Sequence, residues 1–200
     1  MANPAAVTIF RTPLVTVVFR LVARFVLWAL RWRIDVPEEP PKRAVFVVAP
    51  HTSYWDAFTL LPAAVVARID PHWMGTHNLF RFPFRHLVRW FGGIPVDRTR
   101  SNGLVASAID AFSDTDHLQL AVAPEGTRYR VDRWKTGFYR IAEGAGVPIC
   151  LAYVDYRRRV MGIGGTFTPS GDIEADMEHI RAFYDGVTPK RPEWFAVPAV

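Results

Sequence analysis

The sequence predicts an α/β fold, a mainly parallel central sheet flanked by helices, with an N-terminal amphipathic helix of the membrane-surface type. Three observations carry that prediction. Short apolar runs of strand length ("AVFVVA" at 44–49, "LQLAV" at 118–122 and "VPICLAYV" at 147–154) alternate with stretches of helical spacing. Runs apolar at nearly every position suit strands covered on both faces, the setting of a parallel sheet. The 200 residues, 50% hydrophobic and 22% charged, suffice for one domain with a sizeable core.

Residues 1–34 read as the amphipathic helix and residues 35–200 as the α/β domain. From Val7 to Trp32 the chain is largely apolar, yet Arg11, Arg20, Arg24 and Arg31 interrupt it. No uncharged stretch approaches the ~18 residues of a spanning helix, and no basic segment leads into a clean apolar one as in a secretory signal. On a helix, Arg20, Arg24 and Arg31 fall within about 40° of one another. A narrow arginine stripe on a broad apolar surface suits a helix lying in the interface of an anionic membrane. The competing reading packs the helix on the domain and turns its arginines to water.

The charged, Pro-rich "DVPEEPPKR" at 35–43 is a connector, and Ala44–Ala49 is the first strand of the body. "WDAFTLLPAAVVARI" then reads as a helix broken or kinked at Pro62. A short strand at Trp73–Thr76 precedes a helix over "FRFPFRHLVRWF", which Gly92 and Gly93 end before the short strand "IPV". Leu104, Val105, Ala108, Ile109 and Phe112 keep helical spacing ahead of "LQLAV". A helix from about Gly137 to Glu143, closed by Gly144 and Gly146, leads into "VPICLAYV". Asp172 caps a last helix with Ile173, Met177, Ile180 and Phe183 on its core face.

The net charge is +5, and of 24 basic residues only Lys42, Lys135 and Lys190 are lysines. Arginine suits bidentate contact with phosphate. A basic surface fits nucleic acid, an anionic membrane or a phosphorylated small molecule, but no zinc-finger spacing, aromatic RNA-binding strand or basic heptad region is present, so nucleic acid is not an expected partner. The single cysteine, Cys150, excludes an internal disulfide and any zinc cluster of several thiolates. Within an apolar run it reads as a buried core residue.

Three strand ends carry polar residues. After the first comes "PHTSYWDAF", where His51 is followed five positions on by Asp56. One reading is a capped helix start, with Thr52 or Ser53 as N-cap. The other is a general base, His51, whose tautomer and imidazolium Asp56 stabilises. "GGIPVDR" delivers Arg98, with Arg100 close behind, and "APEGTR" at 123–128 makes a tight turn ending on Arg128. Ligands of open α/β sheets sit beyond the carboxyl ends of strands, so His51, Arg98 and Arg128 describe a base beside two phosphate-binding arginines. A metal-dependent hydrolase with His51, Asp56 and Glu125 as ligands, and a non-catalytic lipid-binding module, are the alternatives. The "RRR" at 157–159 reads as a solvated loop able to touch anionic lipid, and Trp55, Trp73, Trp90 and Trp134 as mostly core, with the alternative that some line an acyl groove.

The order His-x4-Asp, Gly-x4-Arg from Gly93 to Arg98, Pro-Glu-Gly-Thr-Arg, and then "VPI" at 147–149 resembles the glycerolipid acyltransferase family, whose best-known branch is the 1-acylglycerol-3-phosphate acyltransferases. The likeness runs from about Ala44 to Tyr153. Pro50, Ala123 and Tyr129 depart from the residues common at those places, Asn, Phe and Ser. The resemblance implies O-acyl transfer from acyl-CoA or acyl-ACP as co-substrate to a lysophospholipid hydroxyl, most simply lysophosphatidic acid, without metal or other cofactor. It implies His51 as general base and Asp56 as its partner. Arg98, Glu125, Gly126, Thr127 and Arg128 would bind the acceptor, and backbone N–H groups near Gly126 are candidates for the oxyanion. A peripheral or monotopic place on the cytoplasmic face of a membrane is expected with it.

Overall fold

The computed structural model describes residues 8–96 and 101–197. Among them, seven strands form one sheet: β1 (Arg33–Asp35), β2 (Arg43–Val48), β3 (Pro71–Thr76), β4 (Gly93–Val96), β5 (Leu118–Val122), β6 (Ile149–Asp155) and β7 (Val160–Phe167). Their spatial order is β1-β7-β6-β2-β5-β3-β4. Every pairing is parallel except β6 with β7. The helices are α1 (Pro13–Ala29), α2 (Trp55–Val66), α3 (Arg85–Trp90), α4 (Ser101–Ser113), α5 (Gly137–Ala145) and α6 (Ile173–Asp185). The expected α/β architecture is thus present.

β2 is buried along its centre and β6 along its whole length, which is why both are apolar at successive positions rather than at alternate ones. The main core gathers Val45, Val47, Leu118, Leu120, Ile149 and Leu151 from the sheet against Phe112, Phe138, Ile141, Met177 and Ile180 from α4, α5 and α6. Gln119 is the polar residue of β5 and is buried, but its amide is satisfied: Nε2 donates to Pro41 O at 2.8 Å and Oε1 accepts from Asp70 N–H at 2.7 Å. α5 ends on Gly146 in the left-handed region (φ 62°), a conformation open to glycine at no steric cost. Asp172 caps α6 through bonds from the Glu174 and Ala175 N–H groups.

Three expectations need revision. β7 and β1 are strands the sequence conceals: β7 carries three glycines, which lower strand propensity, and β1 is three residues long. The boundary drawn between residues 34 and 35 therefore runs through a strand, since Arg33–Asp35 pairs with Val160–Gly162. The helix expected over "FRFPFRHLVRWF" is confined to Arg85–Trp90, because Pro83 biases Phe82 away from helical backbone. Trp55 is exposed on α2 rather than core.

The N-terminal helix packs on α2 along a thin strip. Thr16, Ala23 and Leu27 are buried, while Leu14, Val17, Val18, Leu21, Val22, Phe25 and Trp28 are exposed. The arginine stripe divides: Arg20 Nε donates to Val65 O of α2 at 3.2 Å, Arg24 is exposed, and Arg31 lies beyond the helix at φ 57°. Arg20 thus pins the helix to the domain, and the wide apolar face is what remains uncovered. No helix among the described residues is long and apolar enough to cross a membrane.

Candidate active site

β2 lies between β5 and β6, so its carboxyl end opens at the middle of the sheet. Ala49 and Pro50 carry the chain off that end to His51, and the next turn returns Asp56 to the imidazole. His51 Nδ1 stands 3.4 Å from Asp56 Oδ2, longer than a formed hydrogen bond. Catalytic contacts of this kind often tighten only with substrate. Asp56 is almost fully buried (1%), and the imidazole retains 19% exposure.

Both readings of "PHTSYWD" meet in Asp56. Its Oδ2 accepts the Ser53 N–H at 2.9 Å, and Ser53 Oγ accepts the Trp55 N–H at 3.2 Å, so the helix start is capped much as in a capping box. Its Oδ1 accepts the hydroxyl proton of Tyr156 at 2.8 Å. Tyr156, one residue past β6, is a partner that sequence reasoning missed; a polar aromatic directly after a buried strand is the only signal for it. Burial and the bond to Asp56 both push its phenol above the ordinary value. The carboxylate is therefore fixed by one hydrogen bond to each oxygen.

The "APEGTR" turn follows β5. Glu125 is buried; its Oε1 accepts the His51 backbone N–H at 2.9 Å, while Oε2 is buried with no partner. Burial raises its pKa from 4.5 to about 7, against the lowering effect of the His51 N–H and imidazole. Gly126 has φ 65°, which a side chain would strain, and a Cβ there would crowd Lys135 Nζ. The Gly126 N–H donates to Ala123 O at 3.1 Å, so this expected oxyanion donor is already committed to the turn. Thr127 Oγ1 accepts the Tyr129 N–H at 3.3 Å. The guanidinium of Arg128 stacks 3.9 Å from the centroid of Tyr54, and its buried Nε has no partner. Arg98 and Arg100 lie outside the described residues.

An apolar cavity of about 510 Å³ begins at this point. His51 and Arg128 stand in its wall, with Phe46, Val48 and Ala152 of the sheet opposite Leu60, Ala63 and Ala64 of α2. Its volume lies within the ordinary range for small-molecule sites. Trp73, read as core, lines it as well. Among the described residues, no three His, Cys, Asp or Glu side chains are placed to hold a metal ion.

A family model described as Acyltransferase matches residues 32–154. The chain belongs to the acyltransferase family. All the site residues expected from the sequence fall inside that span. The fold of this acyltransferase is similar to the crystal structure of the 1-acyl-sn-glycerophosphate (LPA) acyltransferase, PlsC, from Thermotoga maritima, with a TM-score of 0.57 and 19% identity, covering 84% of this chain and 76% of that one. No curated protein matches it. In this acyltransferase, His51, Asp56, Glu125 and Arg128 lie close together, and Tyr156 joins them.

Proposed function

We propose that this acyltransferase moves a fatty acyl group from an acyl-CoA or acyl-ACP thioester to the hydroxyl of a lysophospholipid, with lysophosphatidic acid as the acceptor and phosphatidic acid as the product. The observation that carries the reading is the placement of an imidazole beside a buried carboxylate at the mouth of an apolar cavity, with a stacked arginine beside it. His51 Nε2 takes the acceptor's hydroxyl proton as that oxygen attacks the thioester carbonyl. The tetrahedral adduct then expels the thiolate, which recovers the proton from the imidazolium. Asp56 stabilises the imidazolium throughout. The acyl chain occupies the cavity between α2 and the sheet, and Arg128 meets the acceptor phosphate with Arg98.

An acceptor panel with a labelled acyl donor tests this reading. Arg128→Ala removes charge-assisted bonds that contribute roughly 1.5–3 kcal/mol, so kcat/KM for lysophosphatidic acid is expected to fall about tenfold to a hundredfold. A monoacylglycerol acceptor should scarcely change. Equal losses on both acceptors would remove Arg128 from headgroup recognition and the lysophosphatidic acid assignment with it.

The proposal includes a membrane surface. The uncovered face of α1 and the exposed Trp55, Phe58, Phe82, Phe84 and Leu87 offer apolar side chains of the kind that enter a lipid interface. Arg81, Arg85 and Arg89, also exposed, suit anionic headgroups. In flotation with anionic vesicles, Leu21→Glu with Phe25→Glu is expected to release the protein from the lipid fraction. Undiminished flotation of that variant would place attachment elsewhere.

A further inference from the structure

The C-terminal residues 186–195 follow α6, lie beyond the span matched by the family model, and return to the active site. Tyr156 N–H donates to Thr188 O at 2.9 Å, and Arg191 N–H donates to Thr52 Oγ1 at 3.2 Å. Trp194 packs on Tyr129, the residue after Arg128, with ring centroids 4.8 Å apart. The segment is thus tied to Tyr156, which holds Asp56, to the residue after His51, and to the phosphate-type turn.

This strap carries two cations. Arg191 stacks 4.0 Å from the centroid of Trp194, and Lys190 Nζ lies 5.2 Å from that of Tyr156. Both side chains are exposed, and among the described residues no carboxylate lies within ion-pair distance of either. A guanidinium held flat on a ring keeps its in-plane N–H donors free and loses little entropy when it binds an anion. Arg128 on Tyr54 has the same construction. One stacked guanidinium, that of Arg128, therefore lies on Tyr54 of the His51 turn, and a second is carried on Trp194 by the strap whose backbone bonds Thr52.

We propose that Lys190 and Arg191 form a second phosphate-binding site at the active-site mouth, on the Thr52 side of His51. Its ligand is a phosphate group carried by a substrate: a nucleotide phosphate of the acyl donor, or the headgroup of the acceptor. The site rests on the acyl-transfer reading for its role, and on the strap geometry for its existence.

The test uses Lys190→Gln combined with Arg191→Gln in the full chain, which keeps the Arg191 backbone bond to Thr52. Steady-state kinetics compare acyl-CoA with acyl-pantetheine, and lysophosphatidic acid with monoacylglycerol. KM for one phosphate-bearing substrate is expected to rise about tenfold or more, the cost of one lost charge-assisted contact, with its phosphate-free counterpart unchanged. The affected substrate identifies the source of the phosphate, and Arg191→Lys alone should retain part of the affinity. Unchanged KM values, or equal changes for phosphate-bearing and phosphate-free partners, overturn the site.

A second arm needs no turnover: calorimetric titration with adenosine 3′,5′-bisphosphate and with glycerol 3-phosphate. Binding of one probe by the wild type, weakened about tenfold or more in the double variant, supports the site. Absence of binding by both probes, or binding that the variant leaves intact, overturns it. If the wild type transfers no acyl group, the proposed function falls while this arm still decides the site.

Discussion

His51→Ala is expected to lower acyl transfer by about two to four orders of magnitude, the usual contribution of a general base, while the fold survives. The imidazole is partly exposed, and its side chain satisfies no buried donor or acceptor of the core. The His51 bond that ties the loop to Glu125 comes from the backbone N–H, which alanine keeps. Asp56→Asn should be nearly as damaging, because the imidazolium loses its counter-charge. Tyr156→Phe should cost about tenfold or less and carry a distinct signature. The Tyr156 hydroxyl holds Asp56 Oδ1, so without it the carboxylate is fixed less firmly beside the imidazole, and the loss falls on kcat while KM stays unchanged. Rate measurements on folded variants check the series. A His51→Ala enzyme with near-normal turnover would sink the general-base mechanism, and a Tyr156→Phe enzyme whose kcat is unchanged would reduce Tyr156 to a packing residue.

How far the site is legible in the sequence depends on how local each contact is. His51 and Asp56 lie within one turn of chain, so spacing alone points to their pairing. Glu125 and Arg128 are 74 and 77 positions from His51 in sequence; their approach is inferred from the family order and from the rule that strand ends of a parallel sheet gather ligands. Tyr156 and the strap carry no such cue. Tyr156 reaches Asp56 across 100 positions, through the adjacency of β6 and β2, which no periodicity encodes. Arg191 reaches Thr52 only because α6 ends where it does.

The same division holds for the fold. Strands apolar at every position announce themselves, since burial on both faces removes the need for polar residues. β7 does not: near the sheet edge, with Gly162 so close to Asp35 that a Cβ would strike its carbonyl oxygen, it gives up strand-forming residues for close backbone packing. The N-terminal arginines show a further limit of pattern reading. A helical wheel places Arg20 beside Arg24, but whether a guanidinium faces water or a carbonyl depends on the neighbouring helix. Here the carbonyl of Val65, in the last turn of α2, draws Arg20 inward.

Glu125→Gln is expected to make the protein's stability less sensitive to pH by about 2–3 kcal/mol between pH 5 and pH 8.5. Oε2 has no partner: a buried carboxylate with one satisfied oxygen holds its proton more tightly than an exposed one, which raises its pKa from 4.5 to about 7. A difference of this size corresponds to about 3 kcal/mol at 1.36 kcal/mol per tenfold change in proton affinity. Because the folded chain binds this proton more strongly than the unfolded chain, its stabilisation is fully present below pH 4.5 and is lost as pH rises through about 7. Glutamine keeps an oxygen for the His51 N–H and has no charge to desolvate. The variant should therefore match the wild type near pH 5 and exceed it at pH 8.5. Urea denaturation of both proteins at the two pH values reads the difference, since the other titrating groups are common to both. Parallel stability curves for wild type and variant across that range would show that Glu125 is ionised at neutral pH, with Oε2 solvated or paired in solution.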